Sequence, residues 1–569
     1  MNVTGKVMLV AAYSVIEPLG LLHLGGLARD IGWDRKFCLV KNHDFDPLFE
    51  SIRTYRPDII GFNIYTGNHI QTFEAIDKIK EEFPTIEIIL GGPHATYFPS
   101  DSIEHADYVV MSEGFRAFRR ILLGEADKGI IPLSKTEKFP FPDRERLYTE
   151  YPEYGTSRIK SVIGMTGCPY RCTYCYNSSR PEDIKTTPEI AEKIAASLGA
   201  SGRLFPYNVR DVEEVVKEAE YLVTNWPTKV IYFQDDVHGF DIKEWLPELA
   251  QKWKKRVKVP YHAQMRWEMT TDKGGEERLD LVKKAGCQGL TLAIEAADHS
   301  IRKEVLDRAT PQEQMYEGMK NVIDRGLKVR TEQITALPYG ATTEPSPINL
   351  DADLSLVELN VDLKKETGGP TMAWASTFAP YAGTKLGIYS SDNGHYESLD
   401  NYDVPDTFFK SSVLRFPKKW VGVELRDKKD DEGVWLDDVE LEKYRTRNAY
   451  LRAYFNVLCL IPDGHLLART FLTLNSDYSP ESLGEHITDH LKKHPSDEAK
   501  KLLNSISLLK KSNYGKNIIS LIPYFGCVPK ASLLIERYLK YLPSHEGDST
   551  YILSTATRHH LYEEILYNE

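Results

Sequence analysis

Short apolar runs alternate with amphipathic stretches in two separate series along this chain, and no other feature restricts its fold as much. In residues 1–125, strand-like segments fall at Lys6–Ala11, Phe37–Val40, Asp58–Asn63, Glu87–Leu90 and Tyr108–Met111. Helix-like segments lie between them, at Gly20–Asp30, Asp46–Thr54, His69–Phe83 and Phe115–Leu123. A strand joined to its neighbour through a helix pairs parallel, so this rhythm predicts a doubly wound, Rossmann-like α/β sheet. Residues 158–389 repeat the rhythm, with strands at Ile159–Met165, Lys229–Gln234, Val259–Met265, Gly289–Ile294, Leu327–Thr335 and Met372–Phe378. Helices are expected at Pro188–Leu198, Val212–Thr224, Ile242–Lys254, Glu276–Ala285, Pro311–Arg325 and Ser355–Glu366. Between the series, residues 126–157 are rich in Pro, charge and turn formers and read as a linker packed against both neighbours. Over residues 390–569 the rhythm stops. Stretches such as Asp437–Leu460, Pro480–Lys493 and Asp497–Lys510 predict a separate, mainly helical region, a candidate substrate cap.

Ligands of a doubly wound sheet sit beyond the carboxyl ends of its strands. The loops placed there are Glu17-Pro18-Leu19-Gly20, Tyr65-Thr66-Gly67-Asn68, Gly91-Gly92-Pro93-His94-Ala95-Thr96 and Ser112-Glu113-Gly114. Their glycines let a backbone approach a ligand closely, although any tight turn also calls for glycine.

The chemistry is concentrated just after the first strand of the second series, in Cys168-Pro169-Tyr170-Arg171-Cys172-Thr173-Tyr174-Cys175. Three thiolates hold three irons of a [4Fe–4S] cube and leave the fourth iron open to a substrate or cofactor. The alternative is structural zinc, which takes four protein ligands, and no fourth Cys or His lies in this loop. Seven scattered cysteines in 569 residues read as intracellular thiols, not as a disulfide framework.

Cys168, Cys172 and Cys175 match the CxxxCxxC signature of the radical S-adenosylmethionine (SAM) enzymes, and aromatic Tyr174 fits the same pattern. The resemblance implies that SAM chelates the open iron and is cleaved reductively to a 5′-deoxyadenosyl radical. It also implies that Tyr174 borders the adenine and Tyr176 packs against the cluster. The run of "PLGLLHLGGLARDIG", "PDIIGFNIYTGN" and "ILGGPHATYFP" ahead of the cysteines resembles the cobalamin-binding domain of B12-dependent radical SAM enzymes. On that likeness Leu19 and Gly20 belong to the cofactor loops, and Tyr65, Thr66 and Asn68 lie against the lower face of the corrin. Gly91, Gly92, Pro93 and His94, with Ser112, Glu113 and Gly114, line its nucleotide tail. The D-x-H-x-x-G motif that supplies an axial histidine elsewhere is missing, so no such His–cobalt bond is expected, and His69 and His94 read as hydrogen-bonding residues.

In the second series the resemblance implies a partial (β/α)6 barrel whose strand ends converge on one mouth. Asp235, of the pair Asp235-Asp236, is favoured for the SAM ammonium, with helix capping as the structural alternative. Gln264 and Arg266 share a strand face, and Arg266 either binds the SAM carboxylate or pairs with an acid. Glu295, closing "GLTLAIEAAD", matches the region near the SAM ribose, although Ala296-Ala297 replaces the usual small hydroxyl-bearing pair. Arg330, Glu332 and Gln333 border the fifth strand. "ALPYG" (336–340) and "FAPYAGTKLG" (378–387) resemble the family's closing turns. The segment Pro181–Asn208 is longer than usual and is expected to reach over the barrel or the corrin.

A formal charge of −12 argues against broad electrostatic binding of nucleic acid. Met1–Lys6 runs straight into a strand with no signal peptide, and no apolar run is long enough to span a bilayer, so a cytoplasmic enzyme is expected. The likeness implies cobalamin, SAM and a [4Fe–4S] cluster as cofactors, a flavodoxin- or ferredoxin-type electron donor, and a small-molecule or peptide substrate. It implies methyl transfer to an unactivated carbon, with radical cyclisation or rearrangement as the runner-up and a cobalamin sensor as a third reading. Trp420, Trp435, Tyr444 and Tyr454 read as core aromatics before pocket residues, and Cys459 and Cys527 as inert thiols.

Overall fold

The computed structural model describes residues 5–495 and also 497, 500 and 503. Within that span it leaves out 15, 134–137, 185, 198–202, 206, 340–350, 398–411, 418–434, 461–463, 467 and 469–479. Trp420, Cys527, Gly340 and nearly all of the expected helix 497–510 fall outside the described residues, as does the side chain of Tyr454.

The first series forms a six-stranded sheet in the order β2-β1-β3-β4-β5-β6. Its strands are β1 (Lys6–Ala12), β2 (Asp34–Val40), β3 (Ile59–Asn63), β4 (Glu87–Gly91), β5 (Tyr108–Val110) and β6 (Gly129–Ile131), and every pairing is parallel. Strand alternation puts Val7, Leu9 and Ala11 in one core with helices Leu19–Asp30 and Phe115–Leu122. Met8 and Val10 enter another with helices Asp46–Tyr55 and His69–Glu82. Both faces are therefore covered, as a wholly parallel sheet requires. The strand order reverses between β1 and β3, which opens a crevice at their carboxyl ends. Strand β6 corrects the expectation at 126–157. Gly129–Ile131 extends the sheet, and the rest of that stretch carries two short helices, Arg144–Glu150 and Pro152–Thr156.

The second series forms an open, all-parallel sheet in the order β14-β13-β12-β11-β10-β7, a partial barrel. Its strands are β7 (Ile159–Val162), β10 (Val230–Phe233), β11 (Tyr261–Met265), β12 (Cys287–Glu295), β13 (Lys328–Thr335) and β14 (Met372–Thr377). The first of these is shorter than expected. After Val162 the chain turns away, and β8 (Met165–Thr166) pairs antiparallel with β9 (Asn208–Val209) to carry the cysteine loop. Helix Asp438–Leu460 packs along β14 and helix Asp351–Thr367. Trp435 sits edge-on to His395 and Tyr444 is buried against Phe416, both as packing residues. Among the described residues no helix is long and apolar enough to cross a membrane.

A buried ionic cluster ties the two sheets together. Arg144 donates to Glu17 at 2.9 Å, to Glu218 at 2.6 Å and to the Ser161 carbonyl at 2.6 Å. Arg210 closes on the other oxygen of Glu218 at 2.7 Å, and Glu17 accepts the Ser161 N–H at 2.9 Å. The loop after β1, the intervening stretch, β7 and helix Val212–Asn225 thus meet on one set of charges.

Candidate functional site

The cysteine loop is fastened from two sides. From the barrel, Thr173 donates its N–H to the Leu306 carbonyl at 3.2 Å and its hydroxyl to the Val305 carbonyl at 2.6 Å. From the insertion, Arg203 donates to the carbonyls of Cys168, Pro169 (2.6 Å) and Tyr170 (3.3 Å). Cys172 is buried, and Cys168 and Cys175 are half-buried. Burial pushes the Cys168 thiol up to about 11 and the Cys175 thiol up to about 12, as for sulfurs that ionise only against a strong positive partner. Among the described residues no three His, Cys, Asp or Glu side chains converge as ligands of a single ion would. Sulfurs serving three separate irons of a cube are spread more widely than that.

The barrel mouth contains a cavity of about 290 Å³ whose wall includes Tyr174, Glu295, Arg330, Glu332, Thr377 and Tyr381. Glu295 ends β12 with φ +66°, just past a register skip between Ala293 and Glu295. The Tyr174 hydroxyl donates to its carboxylate at 2.5 Å. Burial raises the Glu295 carboxyl, while Arg308 at 3.6 Å and Tyr174 pull it back down. The Thr377 hydroxyl is buried in the same wall, and among the described residues it finds no hydrogen-bond partner. Arg266 takes the structural branch of its expectation. It pairs with Glu268 at 2.8 and 3.1 Å and donates to Cys172 Sγ at 3.2 Å. Gln264 lines neither this cavity nor the one described below, and its carbonyl accepts the His238 N–H at 2.8 Å.

Asp235 needs a correction. It is fully buried, with one oxygen accepting the N–H groups of Gly164 (2.6 Å) and Met165 (3.0 Å) and the other bonded to His238 at 2.8 Å. It is held by the turn out of the barrel and lines neither cavity. Asp236 faces open space instead, beside Asn177.

At the carboxyl ends of the first sheet lies a second cavity, of about 320 Å³. Gly20, Gly91, Gly92, Ser112, Glu113 and Gly114 line it, as expected, together with an apolar wall that includes Leu24, Phe62, Phe115 and Phe139. A Cβ at Gly20 would meet nothing within 4 Å, so that missing side chain is part of the open volume. Gly92 has φ +97°, and a Cβ there would fall on Asn63 Oδ1 and the Ile64 carbonyl. The other expected residues surround this cavity without lining it. Leu19 is in the core, and Pro93 starts the short helix Pro93–Tyr97. The exposed Tyr65 donates its N–H to the Asn68 side chain at 3.1 Å. Thr66 bonds His94 Nδ1 at 3.0 Å, and His94 Nε2 reaches Asp101 at 3.2 Å. Both His94 and its stacking partner His69, centroid to centroid 4.0 Å, are held neutral by burial, His69 at about 3.

The far wall of this cavity belongs to the barrel, through Thr166, Gly167, Asn177, Phe205 and Asp236. Tyr176, expected against the cluster, spans the two halves. Its ring lies between Tyr97 (5.1 Å) and Tyr381 (5.2 Å), its carbonyl accepts the Tyr97 hydroxyl at 2.9 Å, and its side chain hydrogen-bonds Thr66. The insertion does reach across. Ser112 donates to the Leu204 carbonyl, and Asn208 donates to Glu113 at 3.0 Å.

Comparison with known proteins agrees with this layout. The B12-binding domain model matches residues 5–122, and the Radical SAM superfamily model matches residues 162–345. The chain belongs to the cobalamin-dependent radical SAM enzymes. Its cofactors are cobalamin, a [4Fe–4S] cluster and SAM. Among curated relatives of this radical SAM enzyme, the anaerobic magnesium-protoporphyrin IX monomethyl ester cyclase of Rubrivivax gelatinosus is 23% identical over 356 residues, 56% of this chain and 59% of that protein. The cytidylyl-2-hydroxyethylphosphonate methyltransferase of Streptomyces wedmorensis is 22% identical over 441 residues, 70% of this chain and 78% of that protein. The hopanoid C-3 methylase of Methylococcus capsulatus is 22% identical over 312 residues, 50% and 54% of the two chains. The chain thus spans less than two thirds of the cyclase and of the methylase. Solved structures align weakly, as with Escherichia coli coproporphyrinogen III oxidase (HemN) at TM-score 0.28, 11% identity and 43% and 50% coverage.

The residues present suit these cofactors. Three thiols on one fastened loop are a cluster donor set with an iron to spare. The Thr377 hydroxyl, without a partner among the described residues, suits the barrel cavity to a polar ligand, and the volume left by the missing Gly20 side chain, beside an apolar wall, suits the aromatic base of a nucleotide tail. Reading the sequence missed Arg308, Glu268, Thr377 and Asn177, whereas Arg203 and Phe205 lie within Pro181–Asn208, the segment expected to reach over the barrel or the corrin.

Proposed function

We propose that this enzyme is a C-methyltransferase acting on an unactivated carbon of a small molecule or peptide. The observation that carries the reading is the shared wall: the Gly20–Gly92 cavity is closed by Gly167, Asn177 and Asp236 of the cysteine-loop region. A substrate held beside that shared wall, between the two sites, would face both cofactors at once. When bound, the cofactors supply reductive cleavage of SAM to a carbon radical and a methyl group carried on cobalt. The protein's part is to hold, orient and exclude water. In this reading Cys168, Cys172 and Cys175 hold the cluster. Tyr174, Glu295 and Thr377 bind SAM in the barrel cavity, with Asp236 in place of Asp235 near its ammonium. Gly20, Gly91, Gly92, Ser112, Glu113 and Gly114 cradle the corrin tail, and Tyr65, Thr66 and Asn68 form the loop beneath the ring. A flavodoxin- or ferredoxin-type protein in a reducing, cytoplasmic setting would deliver the electrons. Similarity to two methylating relatives supports the reading.

Similarity to the cyclase favours a second reading, radical ring closure on the same frame. Product analysis under anaerobic turnover separates them. S-adenosylhomocysteine formed in step with product is expected for methyl transfer, and 5′-deoxyadenosine alone would overturn it in favour of cyclisation or rearrangement.

A further inference from the structure

Of the three cluster cysteines, Cys172 sits in a field of its own. Arg266 Nη1 lies 3.2 Å and Arg308 Nη1 3.7 Å from its sulfur, and both side chains are buried. Neither guanidinium is loosely held. Arg266 is forked onto Glu268 and stacks on the Tyr170 ring at 3.9 Å. Arg308 donates to the Ala293 carbonyl at 2.9 Å and to the Tyr174 hydroxyl at 3.2 Å. The other two sulfurs lack this company. The Asp236 carboxylate bears on Cys175, and Cys168 feels Asp236 and Arg266 in opposite senses.

We propose that Arg266 and Arg308 set the reduction potential of the cluster by stabilising, at Cys172, the negative charge added on reduction. The inference rests on the reading that the three cysteines hold that cluster. Hydrogen bonds and positive charge at cluster sulfurs raise the potential, and a buried site strengthens both effects. The fork geometry matters as well as the charge, because Arg308 reaches Cys172 and Tyr174 with one nitrogen while its other terminal nitrogen is anchored on Ala293.

The test is an anaerobic redox titration of the reconstituted full-length enzyme, with dithionite as electron donor and the one-electron-reduced cluster counted by EPR. In Arg308→Met and Arg266→Met the ratio of reduced to oxidised cluster at a fixed poise should fall roughly tenfold, a midpoint about 59 mV more negative for one electron. Arg308→Lys keeps the charge without the fork and should fall between parent and Met variant. Arg256→Met is the reference, because Arg256 pairs with Glu213 and Glu220 on the outer helices, away from the cysteine loop, and its midpoint should stay with the parent. Unchanged midpoints in Arg308→Met and Arg266→Met with full iron content would overturn the proposal, as would an equal shift in Arg256→Met. If Arg308→Met holds no cluster, the midpoints of Arg308→Lys and Arg266→Met decide. A reconstituted parent without iron–sulfur absorbance would instead sink the cluster reading beneath it.

Discussion

Glu218 offers the most exacting test of how the two halves are held together. Its carboxylate is fully buried, on the barrel side of the ionic cluster, and accepts from Arg144 at 2.6 Å and Arg210 at 2.7 Å. Burial alone would raise its pKa. The charges of Arg210 and Arg144 more than reverse that and bring it from 4.5 to about 2. A fall of that size corresponds to about 3 kcal/mol of native-state stabilisation, within the range seen when one member of a buried ion pair is removed. Glu218→Gln keeps the shape and one acceptor but not the charge. It should therefore lower the free energy of the first urea transition by about 3 kcal/mol at pH 7, followed by tryptophan fluorescence on protein freed of cofactors. The sign of the pH dependence follows from the depressed pKa. The stabilisation is fully present above the unfolded-state value of 4.5 and drains away as pH falls towards about 2, so the gap between parent and variant should hold from pH 7 to 5 and narrow below 4.5. A variant within about 1 kcal/mol of the parent at pH 7, or a gap that widens with acid, would refute the reasoning.

Replacing Cys168, Cys172 or Cys175 by Ala should abolish iron–sulfur absorbance and SAM cleavage together, and retained cleavage in any of them would defeat the cluster assignment. Gly20→Leu should keep the fold, because a Cβ there meets nothing, and should fill the cavity at the carboxyl ends of the first sheet. Overfilling of roughly 1–3 kcal/mol would cut cobalamin affinity roughly ten- to hundredfold with iron content intact, as checked by equilibrium dialysis. Tyr174→Phe removes one donor to Glu295 and one acceptor for Arg308, and should weaken SAM binding roughly tenfold by isothermal titration without loss of iron.

The frame was legible because its strands are long, apolar and separated by amphipathic helices, as in Ile59–Asn63 after Asp46–Tyr55. Strand β6 escaped because Gly129-Ile130-Ile131 offers only two apolar side chains, half-buried at the sheet edge within a stretch rich in turn formers, whereas the equally short β5 is apolar and buried throughout. The choice between Asp235 and Asp236 went the wrong way for a geometric reason. Strand β10 ends at Phe233, so alternation no longer dictates which later side chain turns inward. Arg308 follows a π-helical turn at Ile301–Val305, where helical periodicity is interrupted, and its direction cannot be counted forward from the residues before it. Thr377 is unremarkable as a strand threonine, and its hydroxyl signals a ligand only once packing has removed every protein partner among the described residues.

These placements bear on where selectivity resides. The halves are clamped on one side by Arg144, Glu17, Glu218 and Arg210, and on the other by Tyr97 on Tyr176, Ser112 on Leu204 and Asn208 on Glu113. A gap pinned at both margins has a width fixed by the protein, which favours holding reacting groups at a set separation over closing around each substrate. The clamping residues also touch the cofactor loops directly: Ser112 and Glu113 line the cavity of the first sheet, and Arg203, next to Leu204, holds the cysteine loop. Change there would disturb the cofactors before it altered the substrate. Helix Asp438–Leu460, by contrast, packs along β14 and helix Asp351–Thr367, on the open edge of the partial barrel beside Ser376, Thr377 and Phe378 of the barrel cavity. That edge lies apart from the cysteine loop and from the loops of the first sheet, so a change in how this helix packs leaves both loops in place.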